Sequence, residues 1–355
     1  MTEDRRARAF SRGASAIGAG EAAALLGGTL IGTMALGVFL RWWLAGAYAV
    51  DHPFAHLRHA HSHLGYFGVL FPLAWIGWAV AGEAMPSRRA WWSYAFVTLF
   101  TTAGFAHRGY APLAIVGSTV VSLYWLWSAR GLWRRLLNAY DVLAVVPLGI
   151  VASLVCVPPI ALSLRQNPAF AQSMVSTFLC ALLLLVVVPS VVASLRPRLP
   201  WPLFFLSGAL TALLLGPWPH WTARIGAFAY AALLMHVSLR CRLATHLRAV
   251  WATVALGLVA LASGLVPNVR PVALAAIHFV ILSPVLATLA THWVKRLPRP
   301  FFWWLAHAAV ATMSAALVAQ AYTGAAWTWT AAAAGGTATF GWWMLVLLRA
   351  FARRA

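Results

Sequence analysis

The sequence predicts an all-α, polytopic membrane protein, and three observations carry that reading. Of 355 residues, 62% are hydrophobic and only 9% charged. The apolar residues fall in long unbroken runs. Arginines punctuate those runs at regular intervals. A soluble domain is nearer half apolar and a quarter charged, so this chain has too little polar surface to cover a soluble globule. A soluble enzyme, a secreted disulfide scaffold and a disordered chain are thereby excluded. A transmembrane barrel would alternate apolar and polar residues along each strand, so the spans are helices of about 20 residues each.

Twelve apolar segments follow one another: 22–46, 58–81, 91–107, 111–128, 140–164, 170–195, 201–218, 222–239, 249–266, 272–294, 301–322 and 326–348. Their orientation follows from the positive-inside rule. With the N-terminus in the cytoplasm, 20 of the 26 basic residues fall in inside segments. The other six are Arg41, Arg58, Arg108, Arg165, Arg224 and Arg270, at or near outside ends of spans. The expected topology is therefore twelve transmembrane helices, N-in and C-in. Residues 1–20 form a basic cytoplasmic tail, and 21–355 a single transmembrane domain.

The net charge of +20 is thus a topology signal and calls for no nucleic-acid partner. The first apolar run is too long for the h-region of a cleaved signal peptide. Short loops and alternating arginines point to a bacterial inner membrane, with the lipid bilayer as the chain's partner. Cys156, Cys180 and Cys241 are scattered, which suits buried, inert thiols. No internal repeat is evident by eye. Trp91, Trp92, Trp303, Trp304, Trp342 and Trp343 sit near span ends, as interfacial belts require.

The informative residues are the ionisable ones within spans. The six acids, Glu3, Asp4, Glu21, Asp51, Glu83 and Asp141, lie in the tail, loops or span ends, which argues against a proton-driven antiporter or a pump. Histidine is concentrated instead. His52, His56, His59, His61 and His63 fall within twelve residues at the outer end of the second span. On a helix His56, His59 and His63 share a face, while His61 points roughly 160–200° away. The topology adds His107, His220 and His278 to this outer group, leaving His236, His246, His292 and His307 toward the cytoplasm. Imidazole is the commonest ligand of metals and of haem iron. A lone histidine at a helix end more often makes an interfacial hydrogen bond, the bland reading taken for His52, His56, His220, His246 and His292. His236 and His307 read as packed, hydrogen-bonded residues.

In two helices the residues resemble subunit I of the haem–copper oxidases. In that family's second helix a haem-ligating histidine stands in a pattern like A-H-x5-F-x4-P, matched here by Ala60, His61, Phe67 and Pro72. Arg58 stands three before His61, as in the nitric-oxide-reductase-type relatives. The tenth span reads A-I-H-F-V-I-L-S, with His278 in the position of the low-spin haem ligand and His292-Trp293 at its end. The span count agrees too. The departures are substantial. Ala276 stands where the family ligates its high-spin haem, no His-x-x-x-Tyr and no adjacent His-His pair occur, and the arginine pair of the loop between the last two helices is missing. The chain also resembles membrane haem–copper proteins of the NnrS type.

The resemblance implies a six-coordinate b-type haem held by His61 and His278, with oxygen reduction lost. It implies electron transfer or redox sensing, with a periplasmic or membrane electron-transfer partner. Arg58, Arg108 and Arg270 would meet the haem propionates. His59, His63 and His107 would be available for a second, copper-like site. Two alternatives from other classes are a metal-cation permease with an outer histidine vestibule and a cofactor-free assembly subunit. Under the permease reading, Pro158-Pro159, Pro189 and Pro284 would mark broken helices.

Overall fold

The computed structural model describes residues 19–163, 166–216, 220–293 and 299–351, and they are helical throughout, joined by short loops. The basic tail up to residue 18, Arg165, Lys295, Arg296, Arg353 and Arg354 lie outside the described residues. Twelve helical segments are present among the described residues. They are α1 (Ala19–Leu44), α2 (Phe54–Val80), α3 (Arg88–Arg108), α4 (Pro112–Ala129), α5 (Val142–Ser163) and α6 (Pro168–Ser194), then α7 (Trp201–Ala212), α8 (His220–Arg240), α9 (Thr245–Ser263), α10 (Arg270–His292), α11 (Pro300–Thr323) and α12 (Ala326–Phe351).

Ten of them are long and apolar enough to cross a membrane. The other two are α3 and α7. Three arginines and a histidine dilute the hydropathy of α3, and α7 passes after twelve residues into a short 3₁₀ turn, Leu213–Leu215. Large apolar side chains remain uncovered along several helices, among them Phe96, Leu99 and Phe100 of α3, Val116 of α4, and Leu345 and Leu348 of α12. Apolar surface on this scale belongs to a lipid-facing protein. The chain is a multi-pass membrane protein.

Helix ends follow local chemistry. Asn167 caps α6, its side-chain oxygen accepting from the Phe170 N–H at 3.0 Å, with Pro168 in the first turn. Asp141 accepts from the Leu143 N–H at 3.1 Å and pairs with Arg135 at 2.5 Å, fixing the start of α5. Pro158 and Pro159 break α5 at Cys156.

Three helices depart from α geometry in the same way. Leu64–Leu70 in α2, Leu182–Val187 in α6 and Ile281–Val285 in α10 are wide π-helical turns. The N–H of Phe71 reaches back five residues to Tyr66, that of Val188 to Leu183, and that of Leu286 to Ile281. The cause is proline. Pro72, Pro189 and Pro284 have no N–H to offer and would collide with the carbonyl four residues back, so the ladder widens around them. These three helices are also the most deeply buried spans. Some 78%, 72% and 61% of their apolar windows are covered by protein, against at most 50% in the other candidate spans. The device recurs at every fourth helix, an internal regularity that the sequence alone did not reveal.

The contacts divide the chain into two compact units. One holds the chain up to Trp125 together with the chain from Thr288 onward; the other is Leu126–Ala287. In the first, α1 packs between α2 and α12, α3 covers α2, and α11 pairs with α12. In the second, α7, α8 and α9 form a consecutive stack, and α5 lies against the π turn of α6.

Candidate functional site

The histidine-bearing end of α2 lies in the first unit. Its side chains point in the two directions their spacing predicts. His61 faces α1: its Nδ1 is 2.9 Å from the Thr33 carbonyl oxygen. A Cβ on Gly37 would stand 2.8 Å from His61 Cε1, so the ring packs directly over that glycine.

His59 and His63 face the end of α3 instead. The His63 ring stacks on Phe105 with centroids 3.6 Å apart, and its Nδ1 is 2.8 Å from the His59 carbonyl oxygen. The His59 ring meets Tyr110 edge-on at 4.5 Å. Tyr110 stands in the loop between α3 and α4, where burial pushes its pKa up against the pull of the Arg58 charge. His56 lies over Gly109, whose φ of 60° and missing Cβ make room for the ring, and His56 Nδ1 is buried without a hydrogen-bond partner. His52 Nε2 is 2.8 Å from the Ala106 carbonyl oxygen.

Below the histidines a file of buried aromatic rings runs along α2. His63 meets Phe67, Phe67 meets Trp125, and Trp125 stacks on Phe71 with centroids 4.9 Å apart. Phe71 and Tyr94 then lead to Trp75 and Trp91. The Tyr94 hydroxyl donates to the Phe67 carbonyl at 2.6 Å and accepts from the Trp125 indole N–H at 3.1 Å. Phe67 lies five residues before Pro72 and Gly68 four before it, so these are the carbonyls that the proline strips of helical donors. The Thr29 hydroxyl of α1 donates to Gly68 O. Both freed carbonyls are thus satisfied from neighbouring helices, as buried backbone groups require.

In the second unit, His278 Nδ1 is 2.7 Å from the Leu274 carbonyl oxygen, within α10. Arg270 is exposed at the start of that helix. It lines a cavity of about 150 Å³ with Gln172, Ser173, Ser176 and Asn268.

His61 and His278 thus share two features. Each stands three residues before a π turn, at Leu64 and Ile281. Each presents Nδ1 to a backbone carbonyl. An Nδ1–H donated to a carbonyl leaves the lone pair on Nε2, the tautomer and anchoring of a histidine that ligates iron or a metal. Each imidazole by itself has the donor chemistry of an axial haem ligand. His61 and His278 belong to different units, and each geometry is local to its own.

Among the described residues no three His, Cys, Asp or Glu side chains gather to hold a metal ion. His59 and His63 share the aromatic wall, while His107 and Arg108 are exposed at the end of α3. Arg58 is half-buried. Of the inner histidines, His246 and His307 are buried, His307 beside Trp303, and His236 is exposed. Sequence reasoning missed Thr33 and Gly37, which seat His61, and Tyr94 and Thr29, which serve the π turn. Gly37 four residues before Arg41 was the one available signal.

No family model, no curated protein and no solved structure matches this chain.

Proposed function

We propose that the chain is a bacterial inner-membrane protein of twelve spans, both ends cytoplasmic, that binds a b-type haem through His61 and His278. It works in electron transfer or redox sensing. The observation that carries this reading is the equivalence of the two histidines. Both sit three residues before a proline-induced π turn in a deeply buried helix, and both turn Nδ1 to a carbonyl. Helices α2 and α10 are both even-numbered, so in this topology they run the same way and bring the histidines to similar depth. The uncovered apolar face of α3 supports counting it as a span.

Bound between two imidazoles, the haem would supply one-electron exchange between its ferric and ferrous states, with no open position for oxygen. The chain's part is to fix both imidazoles, to exclude water with the rings around α2, and to offset the propionates with Arg58, Arg108 and Arg270. A copper site at His59, His63 and His107 would have to be assembled by the metal itself. The permease reading gains nothing from the cavity by α10, since Arg270 on its wall repels a cation. The cofactor-free assembly subunit is the outcome in which nothing coloured is bound.

The test is the absorption spectrum of the full-length protein purified from a haem-replete membrane. A sharp α band on dithionite reduction, with a low-spin oxidised Soret band, is the expected result. A colourless protein that takes up no haem refutes the reading. Cysteines placed in the 295–300 loop should label only from the cytoplasmic side, and those at 217–221 only from outside; the reverse would overturn the orientation.

A further inference from the structure

An arginine near a helix end in a membrane normally extends its charge outward, along the helix toward headgroups and water. Arg41, in the last turn of α1, does the opposite. Its Nη1 donates to the Gly37 carbonyl at 3.0 Å, one turn back into the span. A Cβ on Gly37 would lie 3.1 Å from that Nη1 and 2.8 Å from His61 Cε1, so guanidinium and imidazole share the notch over one glycine. The Arg41 stem also runs beside Gly336 of α12, where a Cβ would stand 3.7 Å from Arg41 Cδ.

The charge has no counter-ion among the described residues. Glu21 pairs with Arg88 and Asp141 with Arg135, and no carboxylate among the described residues pairs with Arg41. One of its five N–H donors has a partner in the Gly37 carbonyl. An inward-turned cation left unpaired in a span is expensive. The neighbouring imidazole turns its Nδ1 to the Thr33 carbonyl.

We infer that Arg41 is an anion site and that its ligand is a monocarboxylate. One net charge selects a monovalent ion. The planar guanidinium fork selects two oxygens in a plane. Beside the Arg41 stem, Val38 and Met313 present apolar atoms 3.8 and 3.5 Å from a Cβ on Gly336, which suits a short carbon tail. The site requires no metal at His61 and so stands apart from the haem reading. Where a haem is present, one of its own propionates is a carboxylate of the same chemistry.

The probe is sodium propanoate, added to the full-length protein in a non-ionic detergent at constant ionic strength. The unfolding midpoint is read by tryptophan fluorescence, with propanol as the uncharged control. Propanoate should raise the midpoint saturably and propanol should not. Arg41→Gln should weaken the apparent affinity at least tenfold, Arg41→Lys should give an intermediate loss because it keeps charge without the fork, and the exposed Arg224→Gln should match the native protein. Protein isolated with and without haem is assayed separately. A shift in both identifies a free carboxylate as the ligand, and a shift in the haem-free protein alone identifies a haem propionate as the usual occupant. No saturable shift in either, or an equal shift in Arg41→Gln, overturns the inference. If Arg41→Gln does not fold, Arg41→Lys decides: native affinity there overturns it as well.

Discussion

Helices α2 and α6 carry the same backbone device on different side chains. In both, a proline forces a π turn and frees the carbonyls four and five residues before it. In both, the fifth carbonyl back accepts a buried tyrosine hydroxyl: Phe67 from Tyr94 at 2.6 Å, and Leu184 from Tyr230 at 2.7 Å. The fourth is met differently. The Thr29 hydroxyl donates to Gly68 O in α2, whereas Leu185 O in α6 is approached by the backbone of Gly149, whose Cβ would come within 2.4 Å. Above the turn the helices part company. Three residues before it α2 has His61 and α10 has His278, but α6 has Leu179. The wide turn is common to these helices, and what differs is the side chain three residues before it, histidine in α2 and α10 and leucine in α6.

The sharpest way to break this contrast is to exchange the side chains there. His61→Ala or His278→Ala should each abolish the haem spectrum, because a haem left with one axial histidine is weakly held and spectrally distinct. Leu179→Ala in α6 should leave it intact. His63→Ala should also spare the spectrum, since that ring stacks on Phe105 on the opposite face of α2. Should His63→Ala destroy haem binding while His61→Ala spares it, the site belongs to the His56, His59 and His63 stripe.

The scaffold half predicts a packing effect. In Gly149→Ala the new methyl would meet backbone atoms of Leu185, the nearest at 2.4 Å, and backbone cannot rotate aside. The cost should reach the upper end of the ~1–3 kcal/mol typical of overpacking, or exceed it. Gly37→Ala collides with a side chain instead, the His61 ring at 2.8 Å. It should cost less stability while displacing the imidazole, so a haem spectrum altered with little change in unfolding midpoint is its expected signature. Equal losses of stability in the two variants would remove the distinction between scaffold and site.

Much of the fold was legible in the chain, for a physical reason. Apolar run length and arginine placement are set by the bilayer, and each of the twelve segments read from them corresponds to a helix in the structure. α3 and α7 mark the limit of that reading, one diluted by polar residues and one cut short at Leu215. The opposed faces of α2 were legible too, because 3.6-residue periodicity fixes them. The π turns were not. A run such as Leu182–Val187 is apolar on every face, so the widening leaves no mark in its pattern, and the proline alone does not say whether a helix kinks, breaks or widens. The donors that serve it, Thr29, Tyr94 and Tyr230, are distant in sequence and ordinary in type. Arg41 was read at the end of the first span, and it stands in the last turn of α1; what the sequence did not show is that its guanidinium turns back to the Gly37 carbonyl.

The smallest predicted effect separates the two scaffolds from one another. Tyr230→Phe removes the donor to Leu184 O, one buried acceptor left unsatisfied. Tyr94→Phe removes the donor to Phe67 O and also the acceptor of the Trp125 indole N–H at 3.1 Å, so it orphans two buried groups. Each orphaned group costs about 1–3 kcal/mol. Tyr94→Phe should therefore destabilise more than Tyr230→Phe, by roughly the cost of one such group. Unfolding in detergent of the two single variants measures the difference. A double variant with Trp125→Phe isolates the indole's share: removing that N–H from the Tyr94→Phe background should recover part of the lost stability, since one orphan disappears with it. If the ring change itself costs as much as the orphan, the recovery vanishes. The packing of Trp125 on Phe71, rather than its hydrogen bond, would then be what holds the π turn of α2 in place.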